Sequence, residues 1–510
     1  MSLNSLISYI SNSQIIAELV KRIENNNELN IIGSSRYAKS IIINSIAKKE
    51  NKDILLISPN EEVAYKWYGY FDSIDNRNVL YYPPSENLPY ASINKSKETE
   101  YSQLSVISKI IKKERKDINI IITTERSLQP HLINNNLFKE NIFTLIKGNE
   151  LDIKELTKKL VLLGYNKENL TSQEGSWSRR GEIIDIYPVN NELPIRIEYF
   201  DNIIEKIREY DPVTQRTLDN INKVEIVQVG FNLLIRKKLE SLSEQNTFSS
   251  EEITTKNNLD RYLGIIEEHP SNLLNYINRE TIIVIDEKED CFKFANNWCL
   301  ESDNNFEQYK NEIANILKSN NINIKVRSNL HKKFESIIKT ISNYNVINLY
   351  EFESKRNIDN RFLLSDKRIN TSSKNIGKLS KEINKFILNK DKVWILSAQP
   401  LRTRSLFFEH DCNTNYLEKP NDLESAYKLI DNSTPVIIKN KNNYEIEGFY
   451  LPIWKVILIT DKELFSQQAL FNNVFIRRRK RSINSNINVN KINPGDYIVH
   501  KNHGIGQFLK

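Results

Sequence analysis

The chain has 510 residues, 39% of them hydrophobic and 27% charged, which is more than one core can use and predicts three or four domains. No apolar run approaches a bilayer span, and the start, MSLNSLISYISNS, lacks the basic flank and small-residue cleavage site of an export signal, so a soluble cytoplasmic protein is expected. Cys291, Cys299 and Cys412 fit no disulfide framework, zinc site or redox pair, and a net charge of +7 over this length permits nucleic-acid contact without arguing for it.

Residues 28–124 alternate strand and helix: strands at Leu29–Ile32, Asp53–Ser58, Val79–Tyr82 and Ile118–Thr124, helices at Tyr37–Lys49, Asn60–Phe71 and about Thr99–Lys113. Such alternation predicts a parallel sheet covered on both faces. The first strand-to-helix turn, from Gly33 to Lys39 and Ser40, departs from the phosphate-cradling pattern G-x-x-x-x-G-K-[ST] at one position, where Ala38 replaces the second glycine. A Cβ there blocks the backbone from closing on phosphates, and Arg36 and Tyr37 make the loop bulky. The expectation is a degenerate nucleotide site that does not hydrolyse, with residual binding through Lys39 left open. After YYPPSENLPY (Tyr81–Tyr90) only a short polar stretch, Ala91–Glu98, precedes the next helix.

A second module begins near Asn141. Ile142–Ile146 reads as a strand, and Leu151–Leu163 carries helical apolar spacing at Leu156, Leu160 and Leu163. Between Gly175 and Leu218 the pattern becomes a meander with strands at Glu182–Tyr187, Pro194–Phe200 and Ile203–Tyr210, the last two joined by an Asp201-Asn202 turn. Alternation sends Ile195, Ile197 and Tyr199 to one face and Arg196, Glu198 and Phe200 to the other, with Arg180 just upstream on the neighbouring strand. Arginine beside an exposed aromatic on a rigid sheet has the composition of a protein-binding hot spot. A solvated face with a stray Phe, or a sheet covered on both sides, satisfies the same alternation.

After Val224–Val229 the chain is expected to return to the first sheet. There Thr281–Glu287, TIIVIDE, has the form of a Walker B strand, with Asp286 and Glu287 either a relic of such a site or a plain strand end. Residues 303–339 read as amphipathic helix, and 376–470 as a small α/β unit with strands at Val393–Ala398 and Pro435–Lys439 and the run Gly448–Gln467. The basic run IRRRKR at 476–481 gives way to SINSNINVN, and the run is read as part of a solvated linker with incidental charge in preference to a phosphate-binding patch. The last twenty residues, KINPGDYIVHKNHGIGQFLK, read as a hairpin with strands at Tyr497–His500 and Gly506–Leu509 and a turn at His503-Gly504; His500 and His503 lack a third ligand, so no metal site is expected.

The runs RRGEIIDIYP, LPIRIEYFD and IREYDPVTQRTL closely resemble the UvrA-binding module shared by UvrB and the bacterial transcription-repair coupling factors. The resemblance implies that Arg180, Arg196 and Phe200 form the UvrA docking face. The short segment after Tyr90, where UvrB has a long aromatic hairpin, favours the coupling factors, as do GFYLPIWKVILITDKELFSQ, similar to the end of their third domain, and Asn493–Phe508, similar to the start of their RNA-polymerase-interacting domain.

On this resemblance the fold class is multidomain α/β: a RecA-like, UvrB-like domain with a degenerate P-loop, an inserted α+β UvrA-binding module, a further small α/β domain, and the first strands of a small β-barrel. The implied boundaries are 1–137 and 229–375 for the two parts of the UvrB-like domain, 138–228 for the module, 376–470 for the third domain, 471–490 for the linker and 491–510 for the beginning of the barrel, which is expected to be truncated. The implied sites are Arg180, Arg196 and Phe200 for UvrA; Gly33, Lys39, Ser40, Asp286 and Glu287 for the degenerate nucleotide site; and His500, His503, Gly504 and Ile505 for the RNA polymerase β subunit. Full-length members bind polymerase stalled at lesions, displace it by ATP- and magnesium-dependent translocation on duplex DNA, and recruit UvrA for nucleotide excision repair. No motor motif occurs here, so no cofactor, catalytic residue or metal is expected in these residues, and a monomer is expected. A UvrB-like damage-verifying ATPase and a stand-alone UvrA-binding protein are the alternatives.

Overall fold

The computed structural model describes residues 3–74, 78–85, 90, 96–112, 118–230, 270–319, 330–352, 359–367, 369, 376–418, 423–440, 446–465, 497–500 and 504–507. The chain divides into two compact units, 1–137 with 234–474, and 138–233 with 475–510.

In chain order the strands of the first segment are β1 (Glu28–Ile32), β2 (Ile54–Ser58), β3 (Val79–Tyr81) and β4 (Ile120–Thr124). Those of the second unit are β5 (Phe143–Ile146), β6 (Asn166–Lys167), β7 (Ser176–Arg180), β8 (Ile183–Ile186), β9 (Ile195–Phe200), β10 (Ile203–Tyr210), β11 (Thr217–Ile221) and β12 (Lys223–Ile226). Back in the first unit follow β13 (Ile282–Asp286), β14 (Val346–Tyr350) and β15 (Arg361–Leu363), then β16 (Lys392–Ser397), β17 (Asn415–Tyr416), β18 (Val436–Lys439), β19 (Phe449–Leu451) and β20 (Val456–Thr460).

The first unit holds a seven-stranded sheet in the order β15-β1-β14-β13-β2-β4-β3, parallel at every pairing. Its central strands ILLIS, IIVID, VINLY and IIITT are buried at every position, as a sheet with helices on both faces requires. Helix Arg36–Glu50 starts where the Ser35 side chain accepts from the Ala38 amide (3.3 Å) and stops at Asn51 in the left-handed region. The same unit contains a second sheet, β17-β18-β16-β20-β19, parallel except for the antiparallel β19 edge. Its core gathers Ile383, Ile395, Phe407, Ile437, Ile457 and Ile459. Trp394 and Trp454 of this part donate to Ser5 (3.1 Å) and Ser13 (2.9 Å) at the N-terminal helices.

The second unit is a six-stranded sheet, β11-β10-β9-β8-β7-β6, with the helix Ile153–Leu162 and the small β5-β12 ribbon. β7 to β11 form an antiparallel meander, and a register shift between Ile204 and Lys206 bends β10. The residues of 303–339 that are described continue the helix Lys288–Ser319 and form the helix Phe334–Ile341. The terminal hairpin consists of β21 (Tyr497–His500) and β22 (Gly504–Gln507). Pairing of His500 with Gly504 and Val499 with Ile505 starts the second strand two residues earlier than the turn signals suggested, so Gly504 is a strand residue and not part of the turn. The basic run 476–481 and His503 lie outside the described residues. Among the described residues no helix is long and apolar enough to cross a membrane.

Candidate functional site

Strand β9 shows the burial alternation that its sequence dictates: Ile195, Ile197 and Tyr199 are buried, Arg196 and Glu198 are half-buried, and the Phe200 ring is 70% exposed. Phe200 pairs across the turn with Ile203, itself 47% exposed, so the two form an apolar patch at one end of the face. About 13 Å along the strand, by the rise per residue, lies the arginine pair.

Arg196 is paired within the sheet. Asp185 lies directly across from it on β8, and Arg196 grips that carboxylate side-on, Nε to Oδ1 at 2.8 Å and Nη2 to Oδ2 at 2.9 Å. Arg180 Nη2 donates to the same Oδ2 at 2.9 Å. The ring of Tyr210 supports the Arg196 guanidinium at 4.6 Å, and Gln215 Oε1 accepts from Nη2 at 3.2 Å. Asp185 is 1% exposed, whereas the Arg180 side chain remains 54% exposed. The hydrogen bonds Arg196 donates to Asp185, which outweigh the cost of burial, hold its pKa above the ordinary value. Glu198, the remaining acid of β9 on this face, is met by Arg208 at 3.1 Å and Lys206 at 4.0 Å.

Sequence reasoning singled out Arg180, Arg196 and Phe200, and did not single out Asp185, Tyr210 or Gln215. A signal for Asp185 existed: an aspartate between isoleucines in GEIIDIYP needs a partner, and antiparallel pairing across one loop brings Arg196 opposite it.

A second cluster lies at the C-terminal edge of the seven-stranded sheet and brings Gly33, Lys39, Ser40, Asp286 and Glu287 together. Each makes at least one hydrogen bond within the chain, while Asp286 Oδ1 is buried without a partner. Lys39 is 1% exposed and donates from Nζ to the Tyr350 carbonyl at 2.9 Å, the carbonyl that also receives the Gly33 amide at 2.9 Å. Ser40 Oγ turns back to the Tyr37 carbonyl (2.6 Å). Asp286 Oδ2 accepts from Arg36 Nε at 3.0 Å and from Trp67 Nε1 at 2.8 Å, and Glu287 Oε1 accepts from the Glu351 amide at 2.7 Å. The Ser35 amide donates to Asp366 Oδ2 at 3.2 Å. Gly33 has φ +88°, and a Cβ there would stand 2.7 Å from the Leu364 carbonyl.

The electrostatics agree with a closed cluster. Burial lowers the Lys39 pKa, against the pull of Asp286 and Glu287, and Arg36 adds to the lowering. For Arg36 burial also pulls downward, but Asp286, Glu287 and Glu351 together outweigh it and leave the pKa raised. Burial, then the neighbouring Asp286, raises that of Glu287. Among the described residues no group of His, Cys, Asp and Glu is arranged to hold a metal ion.

The fold is a mixed α/β scaffold with a parallel sheet and a meander module that carries arginines and an exposed Phe200 on one face, and part of it resembles a known interaction domain. Residues 143–229 match the UvrB interaction domain family, 368–466 match the Rossmann-like domain of cyanobacterial Mfd, and 492–510 match the CarD-like/TRCF RID domain. Curated relatives give the more particular likeness: the chain is similar to the transcription-repair-coupling factors of Bacillus subtilis (strain 168), 26% identical over 94% of this chain and 42% of the relative, and of Staphylococcus haemolyticus (strain JCSC1435), 25% identical over 98% and 43%. That of Staphylococcus aureus (strain bovine RF122 / ET3-1) is 24% identical over 94% and 42%. The resemblance read from 179–218 and 493–508 thus extends along nearly the whole chain, which spans less than half the length of these relatives.

Proposed function

We propose that this chain is the recruiting part of a transcription-repair coupling factor. It docks UvrA on the face formed by Arg180, Arg196 and Phe200, and it meets the RNA polymerase β subunit through the terminal hairpin, around His500, His503, Gly504 and Ile505, as the opening of a small barrel. ATP-driven movement on duplex DNA is assigned to parts of such factors other than these 510 residues. The observation that carries the reading is a phenyl ring 70% exposed on the rigid sheet that also presents the arginine pair.

The cluster at Gly33–Ser40 is proposed to be a decayed phosphate cradle that neither binds nor hydrolyses nucleotide. Its lysine, its loop amide at Ser35 and its strand-end acid Asp286 all have partners from the chain itself, and the Asp366 carboxylate occupies the place of an anion at the loop. No step of the proposed function passes through ATP or magnesium bound here.

Retention of purified UvrA by the chain tests the docking reading. Arg196→Ala or Phe200→Ala is expected to weaken it by about 2 kcal/mol, roughly thirty-fold. Undiminished retention in both would refute the dock, and DNA-stimulated ATP hydrolysis by the chain would favour a damage-verifying ATPase instead.

A further inference from the structure

We infer that Asp185, a residue that would not itself touch the partner, is the positioning residue of the docking face, fixing Arg180 and Arg196 in a binding-ready arrangement before a partner arrives. The inference rests on the reading of that face as a dock and names the device that sets its geometry.

The argument begins with what the two guanidiniums would do alone. Both lie on the same face of adjacent strand pairs, Arg180 with a side chain 54% exposed and Arg196 with one 15% exposed, and both reach Asp185 Oδ2 at 2.9 Å. With no anion between them, two like charges this close repel and swing apart into water, each recovering its rotamer freedom. The single carboxylate offsets one of the two charges, so the face keeps a net cation while both side chains stay in place. Arg196 is fixed more firmly: the side-on fork defines the plane of its guanidinium, Tyr210 supports that plane at 4.6 Å, and Gln215 closes one end. The fork occupies the Nε and Nη2 edge, which leaves the Nη1 edge opposite the buried acid.

Asp185 is itself held. It sits mid-strand on β8, 1% exposed, and its backbone carbonyl accepts from Thr171 Oγ1 at 3.3 Å, whose neighbour Ser178 is 2.9 Å away. Tyr210, which backs Arg196, is anchored through its hydroxyl to the Thr171 carbonyl at 3.2 Å. The arrangement that a partner meets is therefore set by the sheet and not by the partner. Pre-ordering removes the entropy cost of immobilising two long side chains on association. The surface it suits is an apolar pocket for Phe200 and Ile203 with carboxylates at its rim about 13 Å away, where Arg180, 54% exposed, can reach them.

The test uses the full chain and purified UvrA, with association and dissociation rates measured by biolayer interferometry and folding checked by circular dichroism. Asp185→Asn, which keeps shape and removes charge, is expected to weaken binding about ten-fold or more, mainly through faster dissociation. In the Arg180→Ala/Arg196→Ala background the same change is expected to add less than about two-fold, because its effect acts through those two arginines; a merely structural role would give independent, multiplying losses. Arg196→Lys keeps the charge but cannot form the fork, and is expected to lose about ten-fold whether or not the asparagine variant folds. Wild-type affinity in Asp185→Asn or in Arg196→Lys, alongside a loss in Phe200→Ala, would overturn the inference and leave the dock standing. Wild-type affinity in both Arg196→Ala and Phe200→Ala would overturn the dock and the inference with it.

Discussion

Glu125, at the end of β4, is 5% exposed, and its Oε2 is buried without a hydrogen-bond partner. Burial pushes its pKa up to about 8 from an ordinary 4.5, against backbone amides of its own turn and Arg126, with Glu61 adding like charge. Between those two values the folded chain holds a proton that the unfolded chain has released. The stabilisation is fully present below pH 4.5 and is lost as pH rises through about 8. Glu125→Gln is therefore expected to gain stability relative to wild type at pH 8.5 and little at pH 4.5, read from urea midpoints at the two pH values. Equal offsets at both would show that Glu125 is already charged in the fold. At this scale the sequence was legible only by parity. Alternation placed Arg196 and Phe200 on one face, but it could not show that Arg196 is held by an acid, because Asp185 is a neighbour only once β8 and β9 pair.

Among the elements, β15 was the least legible and matters most to the cluster at Gly33. Its three residues, Arg361–Leu363, alternate exposed and half-buried, too short a run to show a period, whereas ILLIS and IIITT declare themselves as central strands. Pairing of β15 with β1 is what delivers Leu364 and Asp366 to the first turn, a contact 331 residues apart in sequence. Gly33 is where that delivery is felt, since its φ of +88° and the Leu364 carbonyl both exclude a Cβ. Gly33→Ala is expected to cost about 2 kcal/mol or more in stability, as a lowered urea midpoint of the first unit. An unchanged midpoint would mean that β15 does not hold Leu364 against the turn.

At the scale of the whole molecule, the alternation of strand and helix foretold the parallel sheet, and period-two patterning with turn signals foretold the meander and the hairpin. What could not be read was that the first turn is filled from within, because every filling contact comes from a distant segment: Tyr350, Asp286 and Asp366. Sequence alone located the departure from the cradle pattern at Ala38, with Arg36 and Tyr37 adding bulk. The contacts make it one departure among several, since Lys39 and the Ser35 amide are engaged whatever stands at 38. Restoring the pattern with Arg36→Gly and Ala38→Gly is accordingly expected to restore no ATP binding in a calorimetric titration. Low-micromolar binding by that double variant would show that Ala38 and Arg36 were the sole obstacle.

A loop that carries its own anion has no vacancy to advertise. On the proposal of a decayed cradle, the chain is expected to keep the same fold and the same exposed Phe200 face whether adenylate is abundant or scarce. On the same proposal, a small molecule built to compete with ATP finds nothing to displace at the first turn, and interference with the proposed docking would begin beside the exposed phenyl ring.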